Sequence, residues 1–165
     1  MLKFTTGDMF DVNANILINT INCVGVMGCG VALAFKKKYP GMFREYAGLC
    51  RLQKIQPGVL WNYHTTDDKV IVNFPTKYHW RKQSEYSYVE RGLGELKSLL
   101  MLHATFTVSG TPIVAIPALG CGHGGLDWDV VKAMITQYLG DLENVDIYVF
   151  QPHDSRQIGD RNAVH

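Results

Sequence analysis

Ile18-Asn19-Thr20-Ile21-Asn22-Cys23-Val24-Gly25-Val26-Met27-Gly28-Cys29-Gly30 is the stretch on which the reading of this chain turns. An apolar run from Ile16 to Ile21 breaks into a loop carrying Gly25, Gly28 and Gly30. A helix-like pattern follows at once, from Val31 through Ala32, Leu33, Ala34 and Phe35 to Lys38. A strand that passes through a glycine loop into a helix start holds phosphate well. Glycine lets the backbone come close, and the first N–H groups of the helix meet the negative oxygens. The Gly-x-x-Gly-x-Gly spacing is neither the dinucleotide fingerprint nor the P-loop, which needs Gly-Lys-Ser/Thr. Alone, such a loop is also what a tight turn looks like.

Upstream, Leu2-Lys3-Phe4-Thr5 alternates like a strand and ends at the turn signal Thr6-Gly7-Asp8. Asp8 is either a turn-stabilising carboxylate or an acceptor for a ligand amine. The run Asn15 to Ile21 is apolar enough for a central strand covered on both faces. At its mouth Asn22, both donor and acceptor, either meets a sugar hydroxyl or ties down the loop backbone. Downstream, the first helix spans Gly30 to Tyr39 and stops at Pro40. A second follows from Gly41 with Phe43, Tyr46, Ala47 and Cys50 on one face, read as core. Lys36-Lys37-Lys38 complements the dipole at the end of the first helix, and the same charges suit a nucleic-acid backbone.

Two strands around Asp67-Asp68, Val59 to His64 and Lys69 to Phe74, read as a hairpin. It delivers Pro75-Thr76-Lys77-Tyr78-His79-Trp80-Arg81-Lys82, where a lysine stands between a buried strand end and two aromatics. Surface loops seldom carry Tyr and Trp in this way. Ser84 is expected to cap a long helix, with Val89, Leu93, Leu96 and Leu100 facing the core. A strand over Thr111 to Pro117 then runs into a second glycine loop, Ala118-Leu119-Gly120-Cys121-Gly122-His123-Gly124-Gly125-Leu126. Asp127 caps the last helix, whose buried face is Val131, Met134, Ile135 and Tyr138, and Val145 to Phe150 is the last strand. Residues 1–151 are expected to form one domain, and 152–165 a polar tail or the start of a linker.

The 165 residues are 47% hydrophobic, enough for one sizeable core. Sixteen basic residues against fifteen acidic leave a formal charge of +1, which excludes the global signature of a nucleic-acid binder but not a local basic patch. No apolar run reaches membrane-spanning length and the N-terminus is no signal peptide, so a cytoplasmic protein without a membrane partner is expected. Cys23, Cys29, Cys50 and Cys121 form no C-x-x-C pair and no histidine stands at zinc spacing, so reduced thiols, no metal and no cofactor are expected. Cys29 and Cys121 sit in the glycine loops, where helix starts lower a thiol pKa, so oxidation there is a further expectation.

Strands alternating with helices imply an α/β sandwich with a mixed, mostly parallel central sheet. Ligands of such sheets gather at the carboxyl ends of the strands, and both glycine loops and Lys77 follow strands. Two facing loops without a Walker lysine suit a diphosphate flanked by sugars, that is, a nucleoside diphosphate sugar. A half-buried lysine beside it can attack an anomeric carbon or, kept protonated, stabilise a leaving group.

Thr6-Gly7-Asp8, Asn19 to Asn22, Val26 to Ala32, Phe74 to Trp80 and Ile116 to Trp128, in that order, resemble the macrodomain family. The closest branch is that of the DNA ADP-ribosyl glycohydrolase antitoxins, related to the terminal ADP-ribose protein glycohydrolases. The resemblance covers residues 1 to about 150 and implies a macrodomain-like three-layer α/β/α sandwich. It implies that Asp8, with Met9, binds the adenine, and that Asn22, with Thr20, sits at the distal ribose. Val26, Met27, Gly28, Cys29, Gly30 and Val31 would enclose the diphosphate and ribose together with Pro117, Leu119, Gly120, Cys121, Gly122, His123, Gly124, Gly125 and Leu126. Lys77 would be catalytic, acting on the anomeric carbon.

The function so implied is removal of ADP-ribose from thymidine bases of single-stranded DNA, which reverses the mark of a DNA ADP-ribosyltransferase toxin, itself an implied partner. Tyr78, His79, Trp80, Arg81 and Lys82 would contact the DNA. Two alternatives use the same pocket. One is hydrolysis of ADP-ribosylated protein carboxylates, O-acetyl-ADP-ribose or ADP-ribose phosphate; the other is an ADP-ribose reader without turnover. Three positions depart from the pattern. Cys29 stands where a basic residue is expected, Tyr78 replaces a basic residue before His79, and Gly124 lies where the protein-directed relatives carry an aspartate.

Overall fold

The computed structural model describes residues 1–106 and 110–153. Six strands form one sheet in the order β1-β6-β5-β2-β4-β3. They are β1 (Leu2–Thr5), β2 (Ile16–Ile21), β3 (Trp61–His64), β4 (Val70–Pro75), β5 (Ile113–Ile116) and β6 (Asp146–Phe150). Every pairing is parallel except the β3–β4 hairpin, where Tyr63 faces Ile71. The expected mixed, mostly parallel sheet is therefore observed. β2 lies between β5 and β4, and its pattern of buried residues is almost unbroken. That is why its sequence reads as a continuous apolar run rather than an alternation.

Alternation survives inside the run as a choice of layer. Ile16 and Ile18 of β2, with Val72, Phe74, Val114 and Ile116, face α3 (Tyr86–Phe106) and α4 (Trp128–Leu139). Leu17 and Ile21, with Ile71 and Ala115, face α1 (Gly30–Lys38) and α2 (Pro40–Arg51). Two apolar layers, one on each side of the sheet, make the three-layer α/β/α sandwich.

The helix stripes hold with adjustments. On α3 the expected Val89, Leu93, Leu96 and Leu100 are all buried. On α2 the buried line is Met42, Tyr46 and Cys50, while Phe43 and Ala47 are only partly covered. Pro40 does not merely end α1 but opens α2 at its first turn, where a missing N–H costs nothing. On α4 Leu139 joins Val131 and Ile135 in the core, and Met134 and Tyr138 lie at its edge.

Ser84 is not the helix cap the sequence suggests. α3 begins at Tyr86, and the Ser84 hydroxyl is buried without a hydrogen-bond partner. Its backbone N–H donates instead to Gly124 O at 2.9 Å. A short 3-10 turn, Met9–Asp11, was not foreseen; the Asp8 carboxylate caps it by accepting from Phe10 N at 2.9 Å. Most of the expected polar tail, from residue 154, lies outside the described residues. Among the described residues no helix is long and apolar enough to cross a membrane.

Candidate functional site

Because β1, β2, β4 and β5 run parallel, the segments that follow them leave the same rim of the sheet. Those segments are Thr6 to Asp8, Asn22 to Cys29, Thr76 to Glu85 and Pro117 to Asp127. Backbone hydrogen bonds tie three of them together around Lys77. Thr76 N donates to Ile21 O (3.2 Å) and Cys23 N to Tyr78 O (2.8 Å), joining the lysine segment to the first glycine loop. Ser84 N to Gly124 O (2.9 Å) joins it to the second loop, and Glu85 N to Thr76 O (3.4 Å) closes the lysine segment on itself. Lys77 itself is half-buried between them.

The first loop leaves its helix start open. Cys29 stands at the N-cap of α1 with extended backbone and makes no side-chain cap bond. Leu33 N is the first N–H to find a helical acceptor, on Cys29 O at 3.2 Å, so Gly30, Val31 and Ala32 present theirs outward. Gly28, Cys29 and Gly30 are exposed. Gly30 has φ +58°, a conformation that a Cβ would strain. This is a place for an anion.

The second loop is closed at the corresponding point. Asp127 caps α4 by accepting from Asp129 N at 2.8 Å, so a carboxylate already covers that helix start. The loop folds on itself through Cys121 N to Ala118 O, Leu126 N to Gly120 O and Gly125 N to Gly122 O. Gly120 (φ +71°) and Gly124 are packed tight. A Cβ on Gly124 would lie 2.2 Å from Ser84 Oγ and 2.4 Å from Gly120 O. The two glycine loops look alike in sequence, yet only the first offers a free helix N-terminus.

Asn22 is buried, and its amide is engaged inside the loop. Oδ1 accepts from Val24 N (3.0 Å), Val26 N (3.4 Å) and the Tyr46 hydroxyl (2.8 Å), while Nδ2 donates to Val26 O (2.7 Å). Of the sequence's two readings for Asn22, this geometry is the one that ties down backbone. Met9, Met27, Pro117 and Leu119 are buried, so from these positions the backbone rather than the side chain borders the rim. Val26, Gly122, His123 and Gly125 are exposed, and Thr20, Val31, Cys121 and Leu126 half-buried.

Beyond Lys77, Tyr78 and Trp80 are about half exposed. His79 stacks on Trp80 (centroids 5.4 Å apart, planes at 28°), and the Arg81 guanidinium lies 4.6 Å from the Trp80 ring centre. His79 Nδ1 accepts from Arg81 N at 3.1 Å, and Lys82 N closes the turn on His79 O. Lys36 and Lys38 stand apart from this group, each over an aromatic ring, Phe43 and Phe10. They are at the far end of α1, roughly 12 Å below the rim at 1.5 Å per residue.

Cys121 contradicts the expectation of an acidic cysteine. Burial, and then Asp127, push Cys121 up to about 12. Burial, and then Cys50, push Cys23 up to about 12. Tyr46 is likewise held well above the ordinary tyrosine range, by burial first and then by Cys50, so it remains a hydroxyl donor. Tyr46 and Ser84 are the site-supporting residues that sequence reasoning missed. A signal existed for Tyr46, since a tyrosine on a core stripe needs a partner for its hydroxyl.

An α/β/α sandwich with an open glycine-loop helix start and a lysine just beyond the neighbouring strand has an arrangement that suits a phosphorylated ligand. The Macro domain family model matches residues 18–135, and the chain belongs to that family. It is 39% identical over 155 residues to the DNA ADP-ribosyl glycohydrolase of Thermus aquaticus, covering 92% of this chain and 41% of that protein. It is 29% identical over 173 residues to a DNA ADP-ribosyl transferase–DNA ADP-ribosyl glycohydrolase fusion protein of Thermosipho africanus, covering 94% of this chain and 43% of that protein. Among solved structures it superimposes on the macrodomain of Mycobacterium tuberculosis DarG with TM-score 0.84 and 37% identity, over 92% of this chain and 98% of that one. On Thermosipho africanus DarTG in complex with ADP-ribose the TM-score is 0.81 at 29% identity, over 92% of this chain and 42% of that one. The chain thus spans about two fifths of the curated relatives it matches.

Proposed function

We propose that this protein is an ADP-ribosyl glycohydrolase that frees thymidine bases of single-stranded DNA from ADP-ribose, with Lys77 acting at the distal ribose. The observation that carries this is the position of Lys77, tied by backbone hydrogen bonds between the two glycine loops. A domain that only holds ADP-ribose has no need of a half-buried lysine there. The names of the relatives supply the DNA-directed substrate, and the ADP-ribose complex of a relative supports the ligand. In the proposed reaction the glycosidic C–N bond breaks and the base nitrogen takes a proton. Water oxygen ends on the anomeric carbon, releasing ADP-ribose and the restored base. Lys77 holds or transiently bonds that carbon while the open start of α1 holds the diphosphate.

Gly124 favours DNA over protein as the carrier. Its Cβ position is filled by Ser84 Oγ and Gly120 O, so no carboxylate fits beside Lys77 from that loop position. The exposed Tyr78-His79-Trp80-Arg81 group offers aromatic and cationic surface for a base and its phosphates. Asp8 keeps one carboxylate oxygen for an adenine amine while the other caps the 3-10 turn. A DNA ADP-ribosyltransferase is the partner whose mark is erased, in keeping with the fusion protein among the relatives.

The test is turnover on a thymidine-ADP-ribosylated single-stranded oligonucleotide beside a glutamate-ADP-ribosylated protein. The expected outcome is release from the oligonucleotide by wild type and none by Lys77→Ala. ADP-ribose affinity of that variant should stay within tenfold, about 1.4 kcal/mol. Turnover of the protein alone would move the reading to the protein-directed branch. Binding without turnover of either would leave a reader.

A further inference from the structure

We propose that Tyr46, on α2 and outside the cleft, is a positioning residue that sets where Lys77 stands; this rests on the reading above that Lys77 acts at the distal ribose. Tyr46 is fully buried, and its hydroxyl lies 2.8 Å from both Asn22 O and Asn22 Oδ1, sharing one proton between them. Cys50, one turn further along α2, reaches the same turn at the Gly25 backbone. The Asn22 amide in turn gathers Val24 N, Val26 N and Val26 O, so the phenol oxygen holds the residue around which the turn closes. Gly25 lies directly over α2, where an added Cβ would come within 3.7 Å of Cys50 Cβ and 3.8 Å of Ala47 Cα.

The next residue carries the constraint across. Cys23 N donates to Tyr78 O at 2.8 Å, and Cys23 Sγ lies 3.7 Å from Lys77 O. The carbonyls on either side of the Lys77–Tyr78 bond are thus held by a residue that follows directly on Asn22. The continuous path runs from the Tyr46 hydroxyl through Asn22 and Cys23 to the Lys77 backbone. The open N-terminus of α1, from Gly30 to Ala32, lies beyond Val26, where the bonds of this turn end, so the diphosphate end of the cleft depends on the hydroxyl less directly than Lys77 does. Loss of the hydroxyl therefore misplaces the lysine more than it weakens ligand binding.

Tyr46→Phe removes one oxygen and keeps the ring in the core. Tyr138→Phe, which removes a hydroxyl bonded to Glu90 on the opposite helix layer, is the control. Three quantities are compared with wild type: single-turnover rate on the ADP-ribosylated oligonucleotide, Kd for ADP-ribose, and amide hydrogen exchange at Cys23. The expected result for Tyr46→Phe is a rate at least tenfold lower, a Kd within threefold, and faster exchange at Cys23. Tyr138→Phe should match wild type in all three. A Tyr46→Phe rate within twofold of wild type overturns the proposal. So does a parallel loss of rate and affinity, which would make Tyr46 a general prop of the cleft. If wild type itself turns over no oligonucleotide, the functional reading has failed. Cys23 exchange then decides the coupling alone, and an unchanged value overturns it.

Discussion

At the scale of single residues, close packing rather than charge limits what the cleft tolerates. Gly124→Ala places a methyl group 2.2 Å from Ser84 Oγ and 2.4 Å from Gly120 O. The hydroxyl can be removed but the backbone carbonyl cannot. ADP-ribose affinity, followed by calorimetry, is therefore expected to fall about tenfold, ~1.4 kcal/mol, in Gly124→Ala. It should recover only in part in the double variant with Ser84→Ala. The thiols separate in the same way. Cys29 is exposed, Cys23 and Cys50 are buried, and Cys121 is pushed up to about 12. Iodoacetamide at pH 8 should label Cys29 first in the folded protein, as mass spectrometry of timed aliquots would show. The place of Lys77 at the rim was legible from its setting between a strand end and two aromatics. The internal engagement of Asn22 was not, because the bonds that use its amide come from a turn whose shape sequence spacing does not specify.

At the scale of elements, the contact between α3 and β4 governs the lysine-bearing strand end. Gly92 sits where a Cβ would lie 2.2 Å from Phe74 Cζ, and Phe74 is fully buried three residues before Lys77. Alanine is the better helix former by about 1 kcal/mol, but overpacking a core costs ~1–3 kcal/mol. The clash wins because the ring has nowhere to turn. Gly92→Ala should lower the melting temperature by a few degrees, roughly 2–4 °C per kcal/mol for a domain of this size. Phe74→Leu in the same chain should restore part of it. The sequence places a glycine at 92 within the helix but does not say which ring it admits. Strand order, likewise, is a matter of which apolar runs meet, and β2 carries no local mark of having β4 and β5 as neighbours. The stripe on α3 could be read because helical spacing alone decides it. That on α2 shifted from Phe43 to Met42 because Pro40 starts the helix earlier than a break at Pro40 implies.

At the scale of the molecule, the buried thiols make the fold sensitive to alkali. Cys23 and Cys121 are each raised from 9.0 to about 12. A group held neutral in the folded state stabilises it fully below its unfolded pKa. That contribution declines as pH rises from about 9 toward about 12, because the unfolded chain loses the proton first. Urea midpoints should therefore fall between pH 8 and pH 10.5. Cys23→Ala and Cys121→Ala should each flatten the fall, and by similar amounts, since both thiols are raised to about 12. The three-layer architecture was readable at this scale because two apolar faces on alternate residues of β2 require a layer on each side.

The sheet order also has a temporal side. β1 pairs only with β6, so Leu2 waits for Ile147, while β2 gains β4 on one edge once residue 75 is made and waits for β5 on the other. A chain emerging from the ribosome therefore carries β1 bare until nearly the whole domain has been made, and one edge of β2 bare until β5 follows. Folding of such a topology is slow to nucleate, and the uncovered edge of β2 is meanwhile open to a chaperone or to a neighbouring nascent chain.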